Sequence, residues 1–312
     1  MAARRVVGID AGGTKLLGGV VDDALAVHHR VHRLWRGEER QDVLDLFLEV
    51  VGEALESTPD VEAVGFGIPA MMDRDRAVVR ACVHLPLEDV AFRDLMSERL
   101  DRPVVVDNDA NCALLAEVRA GAAKGAADAL LLTLGTGIGG GVLAGGEIYR
   151  GAGGAGELGH TVVEIDGQLC PCGSRGCLET VASGSAIAVA GEAAAVAQPD
   201  SGLGRARASG RDITGPLVTE LAGEGDDAAV GVLLEAGRKL GAGLAGLANA
   251  FSPEVIVIGG GASAAGDLLL EPAREEVRRR ALGPNREVRV VAAHFGDEAG
   301  MLGAGLMALE QA

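Results

Sequence analysis

Twice in this chain an apolar run ends in a glycine-rich turn and a second apolar run follows at once. The first copy is Arg5-Val6-Val7-Gly8-Ile9-Asp10, the turn Ala11-Gly12-Gly13-Thr14-Lys15, and an apolar return over 16–21. The second is 129–134, the turn Gly135-Thr136-Gly137-Ile138-Gly139-Gly140-Gly141, and a return over 142–144. Each reads as a strand, a turn sized for a phosphate, and a returning strand, so the chain is expected to contain two related halves. A third glycine turn, Gly259-Gly260-Gly261, follows an apolar strand at 254–258.

Helical patterns at 40–57, 92–100, 111–122, 226–250 and 297–311 alternate with these strands, as in an α/β fold. The stretch 198–215, rich in Gly, Ser, Pro and Arg, reads as a mobile surface segment. Asp107-Asn108-Asp109 stands between a short strand at 103–106 and the helix expected from Asn111. That junction is the carboxyl edge of a strand, where ligands of open α/β sheets bind.

With 312 residues the chain has room for two domains and a cleft between them. Aromatic residues make up 2% against 48% hydrophobic in all, which predicts a core of small and branched aliphatic side chains. A formal charge of −17 argues against a protein that neutralises the nucleic-acid backbone. It leaves room for a nucleotide held locally by backbone N–H groups, a metal ion and one or two cations. The apolar start is cut short by Asp10, and nothing reads as a signal peptide or membrane span, so a cytoplasmic protein is expected. Three of five cysteines crowd between Cys170 and Cys177, which suggests a metal before disulfides.

Asp10-x-Gly12-Gly13-Thr14-Lys15 offers backbone amides, a hydroxyl, a cation, and a carboxylate placed for magnesium; by itself it is equally a plain β-turn. Neither a P-loop nor a dinucleotide fingerprint is present, but three glycine turns after three strands favour a nucleotide. Asp109 reads either as a helix N-cap, a role Asn108 fills as well, or as a base accepting the proton of an attacking hydroxyl. His160, Cys170, Cys172 and Cys177 have the composition of a closed Cys₃His zinc site; the alternatives are a Cys170–Cys177 disulfide or separate buried thiols. Glu157 and Glu179 flank that cluster and suit sugar hydroxyls, although each alone is an ordinary surface charge. Cys82 and Cys112, isolated in apolar stretches, read as core residues.

Taken together, Asp10 to Lys15, Asn108-Asp109, 135–160 and Cys170-x-Cys172-Gly173-x-x-Gly176-Cys177-x-Glu179 resemble the ROK family of repressors, open reading frames and kinases, over essentially the whole chain. The resemblance implies a two-lobed, actin-like (ribonuclease H-like) α/β fold. Its small lobe would be 1–108 completed by the helix at 297–312; its large lobe would be 109–296 with a zinc segment at 157–179. It implies ATP with Mg²⁺ as phosphate donor, a structural Zn²⁺, and a homodimer or homotetramer that binds neither nucleic acid nor membrane. Asp109 would be the base on a hexose 6-hydroxyl, with Asn108, Glu157, His160 and Glu179 on the other hydroxyls. His160 would touch both zinc and sugar. Gly12, Gly13, Thr14, Lys15, Thr136 and Gly137 would line the phosphates, Asp10 would face magnesium, and Gly260-Gly261 would approach the adenosine.

The activity so implied is that of a glucokinase. The alternatives are a family kinase for another sugar (an N-acetylated amino sugar, fructose, mannose or a cyclitol), use of polyphosphate as donor, and a sugar-responsive repressor. Repressors carry a helix-turn-helix ahead of the kinase-like region, for which Asp10 leaves no room. Ala70 after Pro69, and His84-Leu85-Pro86, depart from common family residues near the sugar and leave its identity open.

Overall fold

Strand β1 (Arg5–Ala11) has Val6, Val7 and Ile9 wholly buried. It pairs antiparallel with β2 (Lys15–Asp22), which pairs in turn with the edge strand β3 (Val27–Leu34). The computed structural model describes residues 3–13, 15–35, 39–73, 75–82 and 85–311. Helix α1 (Arg40–Ser57) leads to β4 (Val64–Ile68), and a small hairpin follows, β5 (Ala70–Met72) with β6 (Val79–Cys82). Then come α2 (Phe92–Leu100), β7 (Val104–Asn108) and α3 (Asp109–Ala120). The sheet order is β3-β2-β1-β4-β7, with β4 and β7 parallel to β1.

The same order returns further along the chain. Strands β8 (Ala129–Leu134), β9 (Ile138–Ala144) and β10 (Glu147–Ile148) are followed by the helices α4 (Glu179–Ala182), α5 (Gly184–Ala197), α6 (Gly202–Ala208), α7 (Gly215–Gly223) and α8 (Asp227–Phe251). Strand β11 (Val255–Gly259), α9 (Asp267–Arg280), β12 (Arg289–Ala292) and a last helix, Ala299–Gln311, complete it. The second order is β10-β9-β8-β11-β12, with β11 parallel to β8 and β12. The expectation of two related halves therefore holds at the level of strand order.

By compactness the first unit is Met1–Gly125 with Gly141–Gly156 and Asp297–Ala312, and the second is Ala126–Gly140 with Glu157–Gly296. The first thus takes in α3 and the segment after β9, beyond the limit at 108 expected for the small lobe. No helix among the described residues is long and apolar enough to cross a membrane.

Inside the first unit the few aromatics are concentrated. Phe47, Phe66 and Phe92 meet edge to face with centroids 5.3–5.5 Å apart, and Trp35 joins Phe47 at 5.7 Å. The core is aliphatic, as the composition predicts, apart from this one cluster of quadrupole-matched rings. The last helix lies on β1 and β4 with backbone against backbone: a Cβ at Gly8 would overlap the carbonyl of Met301, and one at Gly65 that of Ala304. Gly303 of the helix approaches the Cys112 carbonyl of α3 in the same way. In the second unit Gly237 and Gly241 of α8 meet the backbone of α9 at Leu269 and Ala273.

Four expectations need correction. α3 starts at Asp109 rather than Asn111, because the Asn108 side chain caps it by accepting from Ala110 N (2.9 Å) and Asn111 N (3.3 Å). The second glycine turn is shorter than 135–141, since Ile138 to Gly141 already belong to β9. The segment 198–215 contains α6, capped by the Ser201 hydroxyl on Gly204 N (3.0 Å) and anchored by the buried Leu203. The last helix begins at Ala299, after a 3₁₀ turn at Gly296–Glu298.

The close approach at Gly65 sets a prediction. Gly65→Ala forces β4 and the last helix apart and lowers unfolding free energy by about 1–3 kcal/mol. Gly52→Ala, inside α1 with open space at its Cβ, raises it by about 0.5–1 kcal/mol. Denaturant titration of both variants measures the contrast; equal shifts would refute it.

Candidate active site

In the first unit the carboxyl ends of β1 and β7 carry the polar residues. Asp10 closes β1 partly buried, with its carboxylate against Gly300 at the start of the last helix. Its pKa is pushed up to about 8, first by burial and then by Asp109, with Lys15 opposing and Asp297 adding. Three carboxylates, Asp10, Asp109 and Asp297, thus bear on one locus, opposed by Lys15, which is itself paired with Asp297. Such an excess of negative charge suits a divalent cation bound by oxygen.

The turn over Gly12 and Gly13 is held from outside. Trp35 donates its indole N–H to the Gly12 carbonyl at 2.7 Å, while its ring rests on Phe47. A carbonyl so engaged is turned away from an anion in the turn, where it would repel. Thr14 lies outside the described residues, as does His84.

Asp109 is the first residue of α3, where the unpaired N–H groups of a helix favour negative charge. One of its oxygens accepts from Ala110 N at 2.9 Å. The capping work belongs to Asn108, whose amide also donates to the Ala70 carbonyl (3.4 Å). Of the two candidate caps, Asn108 occupies the N-cap position and Asp109 follows it as the first helical residue.

In the second unit His160 ends a 3₁₀ turn that begins one residue after Glu157. Its Nε2 lies 3.9 Å from Glu157 Oε2; its Nδ1 lies 3.6 Å from Cys170 Sγ and 3.6 Å from Glu179 Oε1. Burial raises the Glu157 carboxyl above the ordinary range; His160 opposes this and Glu179 adds to it. Glu179 also accepts from Ile138 N (3.3 Å), and its Oε2 sits 2.5 Å from where a Cβ on Gly137 would be, so a side chain there would displace the Glu179 carboxylate. Thr136 is exposed at the tip of the turn, closed by Gly135 N on the Gly137 carbonyl (3.0 Å). At the third turn Gly260 has φ 79° and a Cβ there would press on the Leu134 backbone; Gly261 opens a 3₁₀ turn.

The ligand atoms of His160, Cys170, Cys172 and Cys177 lie within 4.8 Å of one another. With metal–sulfur bonds of about 2.3 Å and metal–nitrogen bonds of about 2.0–2.1 Å, a tetrahedron has S···S edges near ~3.8 Å and N···S edges near ~3.6 Å. The observed Cys172 Sγ···Cys177 Sγ and His160 Nδ1···Cys170 Sγ separations are 3.7 and 3.6 Å. The set fits a four-coordinate metal, and none of the five cysteines is in a disulfide. Cys112 is buried and Cys82 partly so, as core thiols.

Sequence reasoning brought together His160, the cysteines and Glu179, and Asp10 with Lys15. It missed Trp35, although this is the only tryptophan in the chain. It also missed Asp107, for which a signal existed: a carboxylate closing an all-valine strand needs a partner.

Two sheets of the same order, each with a glycine turn between its first two antiparallel strands, define the actin-like ATPase fold. The chain belongs to the ROK family, whose profile matches residues 6–311. It is 36% identical to the glucokinase of Streptomyces coelicolor, over 97% of each chain. It is 36% identical to that of Halalkalibacterium halodurans, over 100% of this chain and 97% of the relative. Among solved structures, a ROK family glucokinase from Streptomyces griseus in complex with glucose and AMPPNP superposes with a TM-score of 0.90 at 38% identity, covering 98% of this chain and 99% of that one.

The ligand geometry predicts one tightly held metal ion per chain. Elemental analysis of the purified protein should find it; Cys177→Ser should lose it and unfold at lower temperature, since binding to such a set is coupled to folding. A metal-free wild type with unchanged melting would refute the assignment.

Proposed function

We infer that this protein is an ATP-dependent glucokinase, transferring the γ-phosphoryl group of ATP to the 6-hydroxyl of glucose. The observation that carries the reading is the carboxylate of Asp109 in the first turn of α3, directly after the cap Asn108 at the carboxyl end of β7. The full-length likeness to glucokinases, one of them solved with glucose and AMPPNP, supports it.

In this reaction the sugar oxygen forms a bond to the γ-phosphorus, the bond from that phosphorus to the β–γ bridging oxygen breaks, and ADP leaves. Asp109 accepts the hydroxyl proton as the new bond forms. Asn108, Glu157, His160 and Glu179 hold the remaining hydroxyls, carboxylates accepting and amide or imidazole completing the pattern. Gly12, Gly13, Thr14, Lys15, Thr136 and Gly137 receive the phosphates through N–H groups, hydroxyls and the ammonium, and Gly260 and Gly261 leave space for the adenosine. Bound Mg²⁺, faced by Asp10, neutralises phosphate charge. Cys170, Cys172, Cys177 and, through Nδ1, His160 would hold a structural zinc, which would orient the His160 ring and leave Nε2 for Glu157 and the sugar. The setting is the cytoplasm, where ATP is available and thiols stay reduced, and the assembly is a homodimer or homotetramer.

Asp109→Asn should lower kcat by about 10²–10⁴-fold while calorimetry finds glucose binding preserved. A wild type that releases no ADP with glucose, mannose or fructose would sink the reading, and a panel of acceptors with ATP against polyphosphate fixes donor and sugar. Trp35→Phe keeps the ring and deletes the N–H. Loss of one neutral hydrogen bond, about 0.5–1.5 kcal/mol, should raise the KM for ATP roughly 2- to 10-fold and leave that for glucose alone, read by steady-state kinetics.

A further inference from the structure

Asp107 lies two residues before Asp109 and is almost fully buried. All its acceptor capacity is engaged within the first unit. One oxygen receives Asn108 N (2.8 Å) and the Asn111 side-chain amide (3.0 Å). The other receives Nε and Nη2 of Arg150 (both 2.6 Å) and Nη1 of Arg76 (3.4 Å). Arg150 also donates to the Ile148 carbonyl (3.1 Å). Arg76 adopts φ 52° in a turn whose amides, Ala77 N and Val78 N, are tied to the Asp73 carboxylate.

The consequence is local. Asn108 and Asn111 bracket Asp109 in the first turn of α3, and both are tethered to the one Asp107 oxygen. The backbone that carries Asp109 is thus closed at both ends. A buried ion pair is a poor way to gain stability, because its desolvation offsets its attraction and an apolar replacement serves as well. Its geometry is the more telling property: a planar guanidinium gripping one oxygen fixes the orientation of the carboxylate, and through it both asparagines. The same arginine anchors the segment that leads to Glu157. There Gly153 adopts φ 116° and comes so close to the Met72 carbonyl that no side chain fits.

We propose that Asp107 and Arg150 are a positioning pair that holds the Asn108–Asp109 step in register for proton abstraction, so that turnover depends on the pair beyond its effect on folding. This rests on the kinase reading above. Neither residue is assigned a contact with sugar or nucleotide.

Three variants test it: Arg150→Met, Arg150→Lys, and Asp107→Asn combined with Arg150→Met, each assayed for melting temperature, kcat, and KM for glucose and ATP. Arg150→Met should lose kcat by about 10²-fold, the scale for a reacting group displaced by an ångström, with the KM for ATP changed less than about threefold. Arg150→Lys, keeping the charge but not the fork, should recover part of that kcat. The double variant removes the buried Asp107 charge together with Arg150 and leaves only the partly exposed Arg76 without its distant carboxylate, so the melting temperature should return part of the way toward wild type while kcat stays low. If kcat instead follows the melting temperature through all three variants, or folded Arg150→Met turns over at the wild-type rate, the positioning role is overturned and the kinase reading stands. If the wild type releases no ADP with any hexose, the kinase reading fails and takes this role with it.

Discussion

The first unit is organised by one close approach, that of the last helix to β1, β4 and α3. Gly8 and Gly65 let it lie on the sheet without intervening side chains, and Gly303 lets α3 lie on it. Two acidic residues far apart in sequence are thereby referred to one rigid body. Asp10 has its carboxylate beside Gly300 of that helix, and Asp109 begins the helix that Gly303 touches. Interiors are close-packed and relax little, so a methyl group at any of these glycines would shift a strand carrying one carboxylate relative to a helix carrying the other. The glycines there are a positional requirement of the site as much as of the core.

Electrostatics then separates carboxylates that the sequence lists almost side by side. Asp107 is matched by two guanidiniums and two N–H donors, so its charge is absorbed by the structure. Asp109, two residues on, bears with Asp297 on Asp10 strongly enough to help raise the Asp10 carboxyl to about 8. The first is a fixed anion with nothing left to give; the second belongs to a cluster short of positive charge. A bound divalent cation would relieve that crowding of negative charge. The contrast arises where the strand gives way to the helix: Asp107 is still in β7, while Asp109 is the first residue of α3, so the two side chains leave the backbone differently and meet different partners.

What could be read beforehand was what local pattern determines. The helices at 40–57 and 92–100 fall where periodicity puts them, and the His160 and cysteine cluster is gathered within eighteen residues of chain, so its spacing reveals it. The glycine turns were visible, but the length of the second was not, because glycines that line a close approach look like glycines that make a turn. Gly141 lies in β9 against the Ala110 carbonyl and Leu114 of α3. The start of α3 was misplaced by two residues because Asn108 and Asp109 are both good caps, and only the observed hydrogen bonds distinguish them. Trp35 on Gly12 and Arg150 on Asp107 join residues 23 and 43 positions apart with no shared periodicity. Such pairings are set by tertiary packing and leave no local signature.

In the second unit the candidate metal ligands and the second glycine turn meet at one side chain, Glu179. Glu179 touches the cluster through Cys170 Sγ (2.9 Å) and His160, and touches the second glycine turn through Ile138 N, beside Gly137. His160 in turn presents one nitrogen to the cysteines and the other to Glu157. A metal held by these four residues would take the place of the thiol proton that Cys170 donates to Glu179, and would leave Glu179 joined to the glycine turn through Ile138 N. A metal bound at Nδ1 would hold the His160 ring so that Nε2 keeps its direction toward Glu157.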